Sequence, residues 1–249
     1  MLAKTYIDQM GREVRLTSPP RRIVSLVPSQ TEFLLDVGAP IVGRTKFCIH
    51  PNEIVENIPI VGGTKKFHFQ KIKELNPDLI VGNKEENYKY GIEKLEEEYP
   101  VWMSDIFTLD DAFGMMTAIG SLCDLEDRAK AIVRECKEAV EKVKGSKSGK
   151  VIYLIWNKPW MAAGKNTFID HFLTHLGYEN LITEERYPEL TTEQIINLNP
   201  DKILFSSEPF PFKEKHLAEA KAFCPNAESL MVDGELHSWY GSRLRYWNK

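Results

Sequence analysis

One segment of this chain occurs twice. Ile72-Lys-Glu-Leu-Asn-Pro-Asp-Leu-Ile-Val-Gly82 returns as Ile195-Ile-Asn-Leu-Asn-Pro-Asp-Lys-Ile-Leu-Phe205, identical at six of eleven positions and 123 residues further on. Other landmarks repeat in the same order. Residues 23–28 answer to 151–156 and residues 102–105 to 230–233, both at an offset of 128. A duplicated helix–strand segment of this kind points to two similar α/β lobes in one chain. A cleft between lobes is a favoured place for a small ligand.

The rest of the chain fits that frame. Residues 5–8 and 13–16 read as a hairpin turning at Met10-Gly11-Arg12. The run 23–27 is short and apolar, as expected of a parallel strand covered on both faces. A helix over 32–37 follows, with Ser29 or Thr31 as its cap and Gly38 as its end. Strand 41–43, helix 69–75, strand 79–81, helix 87–98 and strand 101–103 continue the alternation. Asn76-Pro77 stops the helix over 69–75, because proline lacks a donor and pushes its predecessor out of helical geometry. This order predicts a mainly parallel sheet with helices on both faces. From Leu109 to Lys144 nearly every residue favours helix, and Ala129, Ile132, Val133, Cys136, Ala139, Val140 and Val143 form a stripe at helical spacing. The second lobe is read as strands near 151–156, 202–205 and 229–232 with helices over 167–176, 193–198 and 213–222. The expected fold is therefore α/β. Two Rossmann-like lobes with mainly parallel sheets, residues 1–108 and 146–249, are joined by a long rigid connecting helix over 109–145.

Composition narrows the function classes. A net charge of −4 with no long run of one sign excludes general nucleic-acid binding, which needs a basic footprint. No window approaches the roughly 20 apolar residues of a spanning helix. Residues 1–10 lack the apolar core of a secretion signal and a cysteine for lipid attachment. The expected location is cytoplasmic as the sequence is written, or periplasmic or membrane-anchored if a leader has been removed. Cys48, Cys123, Cys136 and Cys224 form no CxxC. Gly62-Gly63-Thr64 is too short for a phosphate loop, and no GxSxG elbow surrounds Ser25 or Ser29.

Several motifs, taken in order, resemble one family. They are Pro20-Arg-Arg-Ile-Val-Ser-Leu-Val-Pro-Ser with Thr31-Glu32, Cys48-Ile-His-Pro51, Val61-Gly-Gly-Thr64 and Leu75-Asn-Pro-Asp-Leu-Ile80 in the first half. Gly164-Lys-Asn-Thr-Phe-Ile169, Leu190-Thr-Thr-Glu-Gln194 and Leu198-Asn-Pro-Asp201 follow in the second. Together they resemble the class III periplasmic binding proteins, helical-backbone receptors that serve ABC importers of vitamin B12, ferric siderophores and haem. Ser238-Trp-Tyr-Gly-Ser-Arg243 is similar to the ending of the corrinoid and metal-chelate branch. The resemblance implies a non-enzymatic, monomeric receptor that needs no cofactor. Its ligand is a small metal chelate, a corrinoid first and a ferric siderophore or haem second. It also implies docking to an ABC permease through one glutamate per lobe. Those positions fall on Gln70 and Glu193, and the missing first glutamate weakens the usual docking.

Candidate ligand-binding residues lie in the loops at the carboxyl ends of the expected strands. Phe47 and His50 follow the second strand, Trp156 and Trp160 the first strand of the second lobe. Tyr187 precedes the second repeat helix, and His237, Trp239 and Tyr240 lie near the end. Flat aromatic side chains bury large area at low entropy cost and suit a corrin or similar chelate. Phe67 and Phe69 are read as ligand contacts or as anchors of the helix at Gln70. Arg243, with Lys165 and Arg186, is suited to gripping carboxylate or phosphate. His237, His50 and His68 are candidate metal ligands, His237 foremost. His171 and His175 share a helical face but lack a third ligand. The rival reading is a cytoplasmic chelatase-like enzyme using His50, His68, His237 and Glu235.

Overall fold

Apolar runs flanked by turn residues become the strands. The computed structural model describes residues 3–248, so Met1, Leu2 and Lys249, at the ends of the two expected lobes, lie outside the described residues. The chain opens with a hairpin, β1 (Lys4–Ile7) and β2 (Glu13–Leu16). Then come β3 (Ile23–Ser25), α1 (Pro28–Val37), β4 (Ile41–Arg44), α2 (Asn52–Val55) and the two-residue strands β5 (Gly62–Gly63) and β6 (Lys66–Phe67). α3 (Phe69–Leu75), β7 (Leu79–Asn83), α4 (Lys89–Glu96) and β8 (Val101–Ser104) follow. Strands β4, β3, β7 and β8 form one parallel sheet in that order. Its core includes Val24, Leu26, Ile72, Ile80, Leu95 and Met103.

α1 corrects one detail of the sequence reading. Its N-cap is Val27, with Pro28 in the first turn, and no side chain caps it. Proline suits that position because its missing N–H would be unpaired there anyway. Ser29 and Thr31 lie inside the helix, and Thr31 Oγ1 stands 2.8 Å from both Ser25 Oγ and the Val27 carbonyl oxygen.

The expected single connecting helix is two helices, α5 (Leu109–Leu122) and α6 (Glu126–Val143). The break falls at Asp124, whose φ of 59° is left-handed, a conformation that Asp tolerates better than most residues. The two helices approach closely at Gly120, where an added Cβ would come within 2.3 Å of the Ala129 Cβ. The buried stripe of α6, Ala129 to Val140, is the one seen in the sequence.

The second half comprises β9 (Lys150–Trp156), β10 (Trp160–Ala162), α7 (Phe168–Leu176), β11 (Glu179–Asn180), β12 (Glu189–Leu190), α8 (Thr192–Leu198), β13 (Lys202–Ser206), α9 (Glu214–Phe223), β14 (Glu228–Val232) and α10 (Gly234–Ser238), with a closing 3₁₀ turn at Ser242–Asn248. Its sheet runs β12-β10-β9-β13-β14, with β11 beside β9. β9, β13 and β14 are parallel, while β10 runs antiparallel to both β9 and β12. The three residues between β9 and β10 allow only a fold-back, since a parallel return needs a long crossover.

By contact density the chain divides into two units. Residues up to 106, 110–137 and 240–245 form unit 1, and residues 107–109, 138–239 and 246 onward form unit 2.

Candidate functional site

The carboxyl ends of the unit 1 strands rest on a buried polar floor. Asn83 Nδ2 donates to Ser104 Oγ at 2.9 Å, and Gln30 Nε2 donates to the same hydroxyl. Asn87 Oδ1 accepts from the Asn83 amide at 2.9 Å, while Asn87 Nδ2 donates to the carbonyls of Leu26 and Thr64. Asn83 Oδ1 in turn accepts the amides of Glu85 and Glu86. These bonds fix the loops after β3, β5 and β7 relative to one another. Such pre-organisation suits a binding surface, because ordering costs are met in folding rather than on association.

Above this floor Phe47 is 48% exposed, with the Lys46 ammonium 4.9 Å from its ring centre. His50 is half-buried. Tyr240 is buried and its hydroxyl donates to Glu86 Oε1 at 2.9 Å. The guanidinium of Arg243 forks onto Glu32, with Nε to Oε2 at 3.0 Å and Nη2 to Oε1 at 2.9 Å. Burial pushes the Glu32 carboxyl up, and Arg243 opposes that shift only in part.

In unit 2, Trp156 ends β9 and is 40% exposed. Phe210 meets it edge-on at 5.3 Å. Trp160 is buried in the core, stacked on Phe212 and edge-on to Phe205 and Phe223. Tyr187 is half-buried, and the Arg186 guanidinium lies 5.7 Å from its ring and 5.9 Å from that of Phe107. Trp239 is buried, its Nε1 donating to Glu208 Oε1 at 2.8 Å. Burial raises the Glu208 carboxyl, an effect the Trp239 bond opposes.

His237 sits inside unit 2 rather than at its surface. Its Nδ1 lies 2.7 Å from the Asp233 carbonyl, and its ring packs on Tyr153, Phe172 and Trp247. Burial lowers its pKa, so the imidazole is held neutral. His175 Nε2 lies 2.8 Å from the Val140 carbonyl, which engages one nitrogen of the His171–His175 pair. Among the described residues no group of three His, Cys, Asp or Glu side chains stands ready to hold a metal ion. His68 and Phe69 are exposed, and Phe67 is buried against Tyr88. The four cysteines are free and buried, and burial pushes the Cys123 and Cys136 thiols up to about 12.

The sequence expectation therefore divides. Phe47, His50, Trp156 and Tyr187 present surface, whereas Trp160, His237, Trp239 and Tyr240 lie within their units. Glu32, Glu86, Glu208 and Phe210 were not singled out. The Thr31-Glu32 pair stood in one of the motifs, and the alternation Pro209-Phe-Pro-Phe212 was the signal for Phe210.

The periplasmic binding protein family profile matches residues 23–223. The chain belongs to that family. Its members are binding receptors rather than enzymes, and this overrides the chelatase-like reading. The uncharacterized ABC transporter substrate-binding lipoprotein YvrC of Bacillus subtilis is 26% identical over 80% of this chain and 68% of its own length. A vitamin B12-binding protein of Salmonella typhimurium is 21% identical over 75% of this chain and 73% of its own. Among solved structures, the periplasmic vitamin B12 binding protein BtuF of Vibrio cholerae aligns with a TM-score of 0.79 at 19% identity, covering 92% of this chain and 94% of its own. The periplasmic heme-binding protein RhuT of Roseiflexus sp. RS-1 aligns with a TM-score of 0.80 at 18% identity, covering 92% and 95%. Both likenesses are of fold.

Proposed function

We propose that this chain is the solute receptor of an ABC-type importer and captures a metal chelate, a corrinoid first and a ferric siderophore or haem second. The observation that carries this reading is the pair of half-exposed aromatic faces at strand ends. Phe47 follows β4 with Lys46 over its ring, and Trp156 ends β9 with Phe210 braced against it. Water-exposed rings held by neighbours bury apolar area against a flat ligand at little entropic cost. The relatives that bind vitamin B12 and the neighbours that bind haem support the ligand class. Tyr187 and His50 are the polar-tipped groups that would orient the guest.

The same proposal gives α3 and α8 the permease-facing role. Glu193 is exposed in the first turn of α8. Its counterpart Gln70 is also exposed, and its Nε2 donates to Glu74 Oε1 at 3.2 Å.

A thermal-shift titration with cyanocobalamin, hemin and a ferric hydroxamate tests the reading. A ligand that binds only the native state at about 100 times its Kd adds about 2.7 kcal/mol of stability. One of the three is expected to raise Tm, and Trp156→Ala to remove most of that rise. No shift with any of them would refute chelate capture.

A further inference from the structure

Among the described residues, some lysines of unit 1 are paired with carboxylates and others, Lys4, Lys71 and Lys137 among them, are not. Lys73, Lys84, Lys89 and Lys94 each stand within 3.8 Å of a carboxylate. Lys46, Lys65 and Lys66 are all exposed and form no ion pair among the described residues. They are also gathered in one place. The Lys46 amide donates to the Gly62 carbonyl at 2.8 Å, tying the loop after β4 to the β5–β6 ribbon. A Cβ built on Gly63 would lie 3.3 Å from Phe47 Cε2 and 3.7 Å from Lys46 Cε, so both side chains lie across that glycine. Gly63 is paired in register with Lys66, and Lys65 is the next residue back. Lys65 Nζ donates to the main-chain carbonyl of Glu85 at 2.6 Å, a contact that orients the ammonium without neutralising it. The neighbouring Glu86 carboxylate accepts the Tyr240 hydroxyl.

The Lys46 ammonium stands 4.9 Å from the centre of the half-exposed Phe47 ring, and Lys65 and Lys66 add two like charges on the adjoining β5–β6 ribbon. On a chain of net charge −4 this concentration is local, not a consequence of overall composition. The polar floor below holds the loops in place through Asn87 Nδ2, which donates to the Thr64 carbonyl at 3.1 Å. The cluster is thus presented by an ordered ribbon. Like charges fixed near an apolar face attract a ligand of opposite charge and steer its approach.

We infer that Lys46, Lys65 and Lys66 form the anion-recognising part of the ligand surface around Phe47, so that the chelate carried is one with ionised carboxylate or phosphate groups at its edge. This inference rests on the chelate-capture reading above. Within that class it puts a chelate with charged edge groups, such as haem or a carboxylate siderophore, ahead of a net-neutral one such as cyanocobalamin.

The test uses the full chain and matched probes. Hemin and its dimethyl ester differ in whether the edge carboxylates are charged. Ferric citrate and a neutral ferric trihydroxamate make the same contrast among iron chelates. Binding is followed by quenching of tryptophan fluorescence at low and high salt. The charged member of a pair is expected to bind about tenfold tighter or more at low salt, with the margin shrinking as salt rises. The variant K46Q/K65Q/K66Q, whose changes lie at exposed positions, is expected to keep its Tm and to lose about tenfold more affinity for the charged probe than for its neutral partner. Equal or tighter binding of the neutral members, or an unchanged affinity in the triple variant, overturns the anion assignment and leaves chelate capture standing. Failure of all four probes to bind overturns this inference, and it overturns chelate capture as well when cyanocobalamin also gives no thermal shift.

Discussion

Two buried ionisable residues, Glu32 and His237, pull the stability of this chain in opposite directions with pH. Glu32 has a raised carboxyl pKa, caused first by burial and offset in part by Arg243. A group whose native pKa exceeds its unfolded value adds stability that is full below the unfolded pKa, near 4.5, and is lost as pH rises through the native one. At neutral pH Arg243 therefore carries the burden of a charge in a poorly solvated place. Arg243→Ala is expected to cost about 3 kcal/mol in urea unfolding at pH 7, because one partner of a buried pair is left unpaired. The loss should shrink as pH falls and Glu32 takes up a proton. The double variant E32Q/R243M should recover most of the stability, and a double variant as unstable as the single one would refute the charge argument. His237 works the other way. Its native pKa lies below the usual 6.5, chiefly through burial. Its contribution is full above pH 6.5 and is lost as pH drops through the native value. Across pH 7.5 to 5.5, the slope of Tm in His237→Phe should be flatter than in the parent. An identical slope would show that the imidazole is not held neutral.

Among the elements, the repeated Leu-Asn-Pro-Asp segment shows what a motif can disclose. α3 and α8 each end at an asparagine in the left-handed region, Asn76 with φ 43° and Asn199 with φ 47°. The proline then prevents continuation. The aspartate does the same work in each unit. Asp78 accepts the Arg21 and Arg22 amides at 2.7 and 2.9 Å, just ahead of β3, and Asp201 accepts the Lys150 amide at 2.7 Å, the first residue of β9. Each aspartate pins its own strand to the neighbour that precedes it by half the unit. Asp78→Ala is expected to cost about 1 to 2 kcal/mol, since bonds to a charged acceptor exceed neutral ones. Asp201→Ala, which removes a single such bond, should cost less. Equal losses in chemical denaturation would contradict the count. This is why the parallel strands and repeat helices were legible in advance: apolar runs and Asn-Pro breaks are local signals. The break at Asp124 was not, because a left-handed aspartate looks like any other in a helical stretch. Nor were β10 and β12, each short and set by pairing with a distant partner. Of the candidate site residues, aromatic identity was readable but burial was not. Trp156 and Trp160 are four residues apart, yet one ends a strand in solvent and the other fills the core.

At the level of the whole molecule, neither unit is one continuous stretch of chain. Unit 1 takes residues 240–245 from the far end, while Trp239 before them and Tyr246 after them belong to unit 2. That borrowed segment is firmly held. Tyr240 reaches Glu86, Ser242 donates to Asp36, Arg243 forks onto Glu32 and Arg245 lies 3.0 Å from Asp36. Leu244 is wholly buried, and the Cys136 thiol lies 3.7 Å from the Gly241 carbonyl. The three carboxylates, Glu32, Asp36 and Glu86, come from α1 and the loop after β7. Unit 1 is thus incomplete until residues 240–245 have been added to it, whatever the order in which its strands form. Leu244→Ala should cost about 3 kcal/mol, as for other fully buried leucines. The distinguishing measurement is where the loss appears. Amide exchange should accelerate in α1, against which the segment packs, before it accelerates in β13 of unit 2. Acceleration in β13 first would mean that Leu244 stabilises the other unit, and the assignment of residues 240–245 to unit 1 would fail.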